Sequence, residues 1–361
     1  MIQIKKQIHA IYLNSAFSAF QIAGASWVAL LAARHYSLVE IGMAESVFHL
    51  TSMLAELPSG VFSDVLGRRK GMLVSQIMSV LSALLMFLSR GMPEIFLAMA
   101  FSALSYNFSS GTREALAYDS LKSAHQESEY NEFSSTELTI YTISRSAATL
   151  CAGLALLLGF RTAYLIDTIL ASLCLLVTAR LQEVPAESMH AEAGERFREC
   201  IRESISFLQQ HPEGVRIMIL NSLVGAVSTM MLFCLQERLP AHGLSGLWLG
   251  PALFLMGMGS ALGARTARHL RHWSFQKTIL ITVAAVLLCL LLSLSFLPAV
   301  MIPAGFLSAM ADSILEVRSD VLLNDMVPSG QRATLLSVSS LSFSMIMIFM
   351  SPLLAAVFAR F

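Results

Sequence analysis

Residues 60–70 have the sequence Gly60-Val-Phe-Ser-Asp64-Val-Leu-Gly67-Arg68-Arg69-Lys70. Two glycines, one acid and three consecutive basic residues stand here between two long apolar stretches. Glycines allow a short turn to pass close to its neighbours, and the basic trio suits the anionic inner leaflet of a membrane. Asp64 is placed to meet a helix N-terminus or a cation. We predict a tight cytoplasmic loop that switches between states; a basic membrane anchor without a switching role is the alternative.

The composition excludes a soluble globular protein. Of the 361 residues, 55% are hydrophobic and 13% are charged, whereas a soluble domain carries roughly 25% charged residues. So few charges cannot cover a water-facing surface of this size, and we predict an integral membrane protein surrounded by lipid. The 24 basic and 24 acidic residues balance, which argues against nucleic acid as a partner.

Eleven apolar stretches are long enough to cross a bilayer, which takes about 20 helical residues. They cover residues 8–33, 38–62, 71–90, 94–117, 134–159, 161–180, 214–236, 245–267, 276–296, 298–319 and 333–359. The first is too long for the hydrophobic part of a cleaved signal peptide, so we expect a retained span. In the long connection 181–213, a predicted amphipathic surface helix has Phe197, Ile201, Ile205 and Leu208 on one side.

The basic residues predict the orientation of the chain. With a cytoplasmic N-terminus, 18 of the 24 Lys and Arg residues lie in inner loops, Arg113 among them, and five lie outside, Arg238 among them. This distribution satisfies the positive-inside rule, and the opposite orientation does not. We therefore predict a multi-pass protein of the cytoplasmic (inner) membrane with its N-terminus inside.

The order of the spans predicts two related halves. Residues 1–180 hold six spans, residues 181–213 form a cytoplasmic linker, and residues 214–361 hold five spans. The segment Gly259-Ser-Ala-Leu-Gly263-Ala-Arg265, placed between spans 8 and 9, is a degenerate echo of residues 60–70. Parallel repeats with a substrate site between them are one known transporter architecture.

These features together resemble the major facilitator superfamily, whose signature loop is similar to residues 60–70. Segments similar to its bacterial efflux-type members are 56–60, 110–122 and 328–334. The resemblance implies an all-α fold with about 11 transmembrane helices in two pseudo-symmetric bundles, without the family's twelfth helix. It also implies a cytoplasmic gate formed by Gly60, Asp64, Gly67, Arg68, Arg69, Asp119 and Arg332. In this gate Asp64 would face the Arg332–Thr334 start of span 11, and Arg68 or Arg69 would face Asp119.

The chain departs from the family pattern at three places. Asn107 stands where members commonly carry an arginine on helix 4, and residues 143–159 lack the Gly- and Pro-rich pattern of drug/proton antiporters. The sequence stops where the outer end of helix 11 is expected. We expect lipid or a partner chain to cover the face that a twelfth helix would cover.

Polar side chains inside the spans are the candidates for a substrate or proton pathway. An ionisable group at the bilayer centre costs at least about 2.5–3.5 kcal/mol, so its presence points to a functional or paired site. The candidates are Asn14 and Gln21 in span 1, Glu45 and His49 in span 2, Asn107 and Glu114 in span 4, Arg145 in span 5 and Asp312 in span 10. For proton coupling we favour Glu45, His49 and Asp312, because alternate burial and exposure change the proton affinity of such groups.

Several candidates have a purely structural alternative. Glu45 and His49 are four residues apart and are able to stabilise the helix as a local pair. Glu114 is placed to pair with an arginine of an inner loop. Arg145 requires an anion, which either Glu137 or an acidic solute would supply.

We expect a secondary transporter that moves a small, amphipathic or drug-like solute by rocking one bundle against the other, with proton-coupled export implied by the resemblance. A non-transporting sensor or scaffold derived from a truncated permease is the alternative. The sequence contains no HExxH, GxSxG or P-loop motif, which argues against an enzyme. The five cysteines occur singly, so we expect no metal site. We expect no cofactor besides the proton gradient, the solute and the lipid bilayer as partners, and a monomer.

Overall fold

A computed structural model describes residues 3–184, 193–326 and 332–360, and these are almost entirely helical. In chain order the helices are α1 (Ile4–Ala19), α2 (Ile22–Ala25), α3 (Trp27–Ala32), α4 (Leu38–Leu66), α5 (Arg68–Leu88), α6 (Met92–Ser109), α7 (Thr112–Ser123), α8 (Tyr130–Leu150), α9 (Ala152–Leu158), α10 (Phe160–Ala179), α11 (Ala193–Gln210), α12 (Pro212–Ala241), α13 (Leu249–Ala267), α14 (Phe275–Ser293), α15 (Pro298–Met326) and α16 (Arg332–Phe358). The predicted all-α fold is confirmed.

Within the described residues, eight helices are long and apolar enough to cross a membrane, or nine if the bent pair α8 and α9 forms one span. The predicted span 8–33 is divided into α1, α2 and α3, and the span 94–117 is divided between α6 and α7. Gly111 makes the second division with a φ of 70°, a left-handed conformation that glycine adopts at little cost. The number of eleven spans stays a prediction.

The outward helix faces are strongly apolar. Leu280, Leu291 and Phe349 expose 71%, 67% and 70% of their surface. Large apolar side chains exposed in such numbers would be costly in water. Hydrocarbon surroundings remove that cost, which agrees with helices that lie in a membrane.

The first of two compact units consists of Met1–Ala25, Thr51–Cys151 and Leu158–Cys200. In this unit α5 packs against α6 and α10, and α1 packs against α8 and α10. A cluster of buried apolar side chains joins α1, α5, α7, α8 and the segment after α10; among its members are Ile11, Met72, Leu116, Phe133 and Leu181.

The second unit consists of Ser26–Leu50, Ala152–Leu157 and Ile201–Phe361. Here α13 and α14 pack against α15, while α12 packs against α15 and α16. Each unit combines three separate segments of the chain. The predicted boundaries at residues 180 and 214, which divide the chain into consecutive domains, stay a prediction.

The glycines of the predicted echo have a packing role. Gly259 and Gly263 lie inside α13 and not between two spans as predicted. A Cβ atom at either position would overlap a backbone carbonyl of α15, that of Phe306 or that of Met310. Small residues four positions apart let two helix backbones touch, so this segment joins α13 to α15.

Residues 60–70 are mostly helical, which corrects the prediction of a loop. Gly60 and Asp64 lie in the last turns of α4, and Arg68 begins α5. Gly67 alone connects the two helices, with a φ of 115° that other residues rarely adopt. The chain reversal between α4 and α5 therefore requires a glycine only at position 67. At Gly60 a Cβ atom would meet open space.

The predicted surface helix of the linker corresponds to α11. Ile205 and Leu208 of its predicted apolar side expose 49% and 42% of their surface. Phe207 is instead buried against Ile217 and Leu335. The side chain of Phe197 lies outside the described residues.

Candidate functional site

Arg113 of α7 lies in the interior of the first unit, with only 7% of its surface exposed. Its Nε donates a hydrogen bond to Asn14 Oδ1 at 3.2 Å, and its Nη1 donates to Glu137 Oε1 at 3.0 Å. Its Nη2 donates to Ser18 Oγ at 3.2 Å and to Ser109 Oγ at 3.3 Å. A buried guanidinium is stable only when its nitrogens find acceptors, and all three nitrogens have one here. We call these five residues the Arg113 cluster.

A second layer of hydrogen bonds fixes the Arg113 cluster. Asn14 is fully buried, and its Nδ2 donates to Thr178 Oγ1 at 2.8 Å and to Cys174 Sγ at 3.3 Å, both on α10. The hydroxyl of Ser15 donates to Glu137 Oε1 at 2.6 Å. Five helices, α1, α6, α7, α8 and α10, therefore hold the charged pair in a fixed geometry.

The first predicted span is interrupted one turn beyond Ser18. Phe20 and Gln21 separate α1 from α2, and Gln21 is partly exposed. Asp167 of α10 caps the N-terminus of α2 at this interruption. Its Oδ1 accepts from the N–H of Ile22 and its Oδ2 accepts from the N–H of Gly24, each at 2.9 Å. A carboxylate at a helix N-terminus satisfies free N–H groups and the positive end of the helix dipole.

Of the two anions considered for Arg145, Glu137 and an acidic solute, Glu137 is not its partner in the structure. The two residues are eight positions apart on α8, which is about 12 Å along a helix. Arg145 is exposed and its Nη1 donates to Tyr141 Oη at 3.0 Å. Arg113, from the neighbouring α7, takes the place predicted for Arg145.

The predicted pair of Glu45 and His49 is present in the second unit. Glu45 Oε1 lies 3.3 Å from His49 Nε2, and His49 Nδ1 lies 3.3 Å from Ser344 Oγ on α16. The imidazole ring also packs edge-on to Phe343 at 5.5 Å between centroids. Glu45 and His49 expose 8% and 7% of their surface, so they form a buried pair that joins α4 to α16.

Asp312 of α15 lies beside the same aromatic ring. Ser228 of α12 lies near its carboxylate. Asp312 Oδ1 and Phe343 Cε2 lie 3.6 Å and 3.4 Å from the point where Gly225 would carry a Cβ atom. Because Gly225 has no side chain, Asp312 and Phe343 can both lie close to this position. His49 packs against the ring of Phe343.

Two further predicted residues serve different purposes. Asn107 joins α6 to α4, because its Nδ2 donates to Ser52 O at 2.6 Å and its Oδ1 accepts from Ser52 Oγ at 2.8 Å. Glu114 is partly buried, and its Oε2 has no hydrogen-bond partner among the described residues.

Three of the predicted gate residues, Asp64, Arg68 and Asp119, meet at the junction of α4, α5 and α7. Arg68 forms an ion pair with Asp64, and its Nε lies 4.0 Å from Asp119 Oδ2. Burial raises the pKa of the Asp119 carboxyl above its usual range, and Arg68 acts in the opposite direction. The side chain of Arg332 lies outside the described residues, so its predicted contact with Asp64 stays a prediction.

Sequence reasoning missed three residues with structural roles. Glu183, after α10, accepts from the N–H of Arg69 at 3.1 Å. Arg238, only 3% exposed, donates to the carbonyls of Leu294, Ser295 and Phe358 at 3.1–3.4 Å, at the ends of α14 and α16. Arg113 was assigned to a loop although it falls inside the predicted span 94–117. Its position within a span could have indicated that it is buried. Among the described residues no three His, Cys, Asp or Glu side chains group as metal ligands.

Comparison with known proteins identifies the family of this chain and shows which solved structures have a similar fold. The family model of the Major Facilitator Superfamily matches residues 10–352. No curated protein matches the chain in sequence. A variant of the nucleoside transporter NupG has a similar structure, with a TM-score of 0.77 and 14% identity over 98% of this chain and 96% of that one.

Two other solved structures are also similar. A D-xylose-proton symporter has a TM-score of 0.68 and 13% identity over 97% of this chain and 89% of that one. A bacterial homologue of the human lysosomal transporter Spinster, in an inward-facing and unoccupied conformation, has a TM-score of 0.69 and 15% identity over 97% and 80%. Identities this low establish the fold alone, and none of these matches favours the non-transporting alternative. With a family model that spans nearly its whole length and a fold shared with these transporters, the chain belongs to the Major Facilitator Superfamily.

Proposed function

We propose that the protein is a secondary active transporter that exports a small solute across the cytoplasmic membrane, coupled to the proton gradient. Membership of the family supports transport of a small molecule across a membrane. The observation that carries the proposal is the Arg113 cluster in the interior of the first unit. A buried ion pair is seldom retained for stability, because apolar residues of similar volume often serve as well or better. A solute site gives a reason to keep it.

Proton coupling is assigned to the buried pair of Glu45 and His49. Histidine and carboxylate side chains are groups that bind and release protons, and here the two lie 3.3 Å apart in a buried pair. Ser344 contacts the other ring nitrogen at 3.3 Å and so orients the imidazole. Asp312 is proposed as a second carboxylate on this pathway, because it lies beside the Phe343 ring that His49 contacts.

The junction of Asp64, Arg68 and Asp119 is proposed as the cytoplasmic latch. The charged side chains of this junction can exchange partners when the transporter changes from one state to the other. The orientation with an inner N-terminus and the monomeric state belong to the same proposal. Export is the direction implied by the resemblance to efflux-type members.

Flux through reconstituted vesicles tests the proposal. Purified full-length protein is placed in liposomes, and labelled solutes are followed with and without a pH gradient. A nucleoside and D-xylose, the solutes named for two neighbours, are the first probes, followed by small carboxylates, amines and amides. We expect at least one solute to move faster than in protein-free vesicles, and to accumulate on one side when a pH gradient is imposed. Flux equal to that of protein-free vesicles for every solute would overturn the proposal.

A further inference from the structure

We propose that the solute is an organic anion that binds to Arg113 and that Glu137 takes up a proton when it binds. This inference rests on the proposed transport of a small solute and specifies its solute class. Because anion and proton bind together, they move in the same direction, so the inference does not include proton-driven export. It follows from the way in which the guanidinium is occupied, from the charge of the Arg113 cluster and from the free oxygen of Glu137.

The Nη2 side of Arg113 is open to exchange. Glu137 uses only Oε1, so it does not form the two-pronged contact that saturates a guanidinium. Nη2 instead contacts the hydroxyls of Ser18 and Ser109 at 3.2 Å and 3.3 Å. Both serines are partly exposed, whereas Asn14 and Glu137 on the other nitrogens are buried. An anion bound at Nη2 would displace two neutral hydroxyls and gain shorter, charge-assisted hydrogen bonds of about 2.7–2.9 Å.

The charge of the cluster then requires a proton. Arg113 and Glu137 together are neutral, so a bound anion leaves one net negative charge in a poorly solvated interior. Conversion of the Glu137 carboxylate to the neutral acid removes that charge, and Arg113 is then matched by the solute. Glu137 Oε1 accepts from Ser15 and Arg113, and no hydrogen bond within the described residues reaches Oε2. The proton comes from a hydronium ion of the solvent: one of its O–H bonds breaks, an O–H bond forms at Glu137 Oε2, and water is released.

Other ionisable groups lie near this pair on α1, α8 and α10. Tyr12 of α1 and Tyr130 of α8 lie within electrostatic range of Glu137, and Cys174 of α10 lies within range of Arg113. Phenols and thiols are uncharged near neutral pH and leave the charge of the cluster unchanged. Glu114 of α7 is the competing acid, because its Oε2 is also without a partner. The test therefore compares Glu137 with Glu114.

Other solute classes fit the cluster less well. A cationic solute would have to approach a guanidinium whose Nη2 is matched only by neutral hydroxyls and which has only one acidic partner among the described residues. A neutral solute could replace the serine hydroxyls, but it would bind without a proton. Charge and proton dependence therefore separate the three classes experimentally.

The first test uses matched probes on purified full-length protein in lipid nanodiscs. Acetate, lactate and benzoate are compared with the amines and the neutral amides of the same carbon skeletons, by thermal unfolding at several pH values. We expect carboxylates alone to raise the unfolding temperature, with an affinity that rises about tenfold for each unit of pH lowered while Glu137 is ionised in the empty protein. Binding in weakly buffered solution should take up one proton for each anion. Stabilisation by amines or amides only, by no carboxylate, or by carboxylates without proton uptake would overturn the inference.

Variants locate the proton and the anion. E137Q should bind the carboxylate at all pH values as tightly as the parent protein does at low pH, and R113Q should lose binding. S135A, at an exposed serine of α8 whose hydroxyl bonds within that helix, should bind within about twofold of the parent, and E114Q should keep the pH dependence. Persistence of the pH dependence in E137Q, or its loss in E114Q, would contradict the assignment to Glu137. If R113Q or E137Q does not fold, proton uptake by the parent protein still decides.

The outcome also separates this inference from the proposed function. Vesicle flux of a neutral solute without any response to carboxylates would overturn the anion site and leave the transporter function standing. Absence of flux for every solute would overturn the function itself.

Discussion

The carboxylate of Glu183 accepts a hydrogen bond from the backbone N–H of Arg69 at 3.1 Å. In return, Nη2 of Arg69 donates to the carbonyl of Ala179, the last residue of α10, at 3.0 Å. The N-terminus of α5 and the C-terminus of α10 thus stabilise each other. Gly67 makes room for this contact, because a Cβ there would overlap the carboxylate of Glu183. The reversal between α4 and α5 is fastened to the first residues of the linker.

Replacement of Glu183 by Ala should loosen this reversal. Loss of a helix cap costs about 0.5–2 kcal/mol, and the freed N–H of Arg69 should exchange faster with deuterium. Hydrogen exchange of the first turn of α5, read by mass spectrometry, measures the effect. Glu129→Ala, at an exposed position before α8, is the control. Equal exchange in the parent protein and in E183A would show that Glu183 does not cap α5.

Removal of one partner from the pair of Arg113 and Glu137 should destabilise the protein strongly. Arg113→Met leaves a buried carboxylate without its counter-ion, which costs about 3–5 kcal/mol. The double variant with Glu137→Met as well should recover most of this loss, because no buried charge remains. Chemical unfolding in detergent provides the two free energies. If the double variant is no more stable than Arg113→Met alone, the two charges are not coupled as the 3.0 Å contact implies.

Asp167 should control the break in the first predicted span. Asp167→Ala leaves the N–H groups of Ile22 and Gly24 without acceptors, and the buried one, that of Ile22, costs about 1–3 kcal/mol. Asp167→Asn keeps one carbonyl oxygen and should have an intermediate effect. Exchange rates at residues 22–24 and the unfolding temperature are the measurements. Thr168→Ala, which removes only a bond within α10, should change neither; protection of residues 22–24 in D167A would refute the cap.

The glycines of α13 offer a contrast on one helix. Gly259→Leu and Gly263→Leu force α13 away from the carbonyls of Phe306 and Met310, so the yield of folded protein should collapse. Gly257→Leu adds a side chain where no atom lies within 4 Å, and leucine favours helix over glycine by up to about 1 kcal/mol. Size-exclusion profiles of detergent-solubilised protein compare the three. Equal profiles would mean that α13 and α15 do not require close contact.

The sequence predicted the membrane class and the helical fold because both follow from composition and from the length of apolar stretches. It also placed Glu45 beside His49, since four residues make one helical turn. These are local relationships along one helix, which a sequence expresses directly.

Contacts between helices were harder to predict because the rotation of one helix against another is absent from the sequence. Arg145 and Glu137 share α8, yet the acid pairs with Arg113 from α7. Arg113 and Arg238 were counted as loop charges because the positive-inside rule counts charge and ignores burial. The interruption after Ala19 is capped by Asp167, nearly 150 residues later in the chain. No sequence pattern around residues 20–26 predicts this interruption.

Counterflow in vesicles tests the central claim, that the Arg113 cluster is the solute site of a transporter. Vesicles with the purified protein are loaded with an unlabelled solute that the parent protein moves, and entry of the labelled solute is followed without any ion gradient. Arg113→Gln should abolish exchange, whereas Arg145→Gln, at the exposed arginine of α8, should leave it within about twofold of the parent. Unchanged exchange in folded R113Q protein would contradict the account.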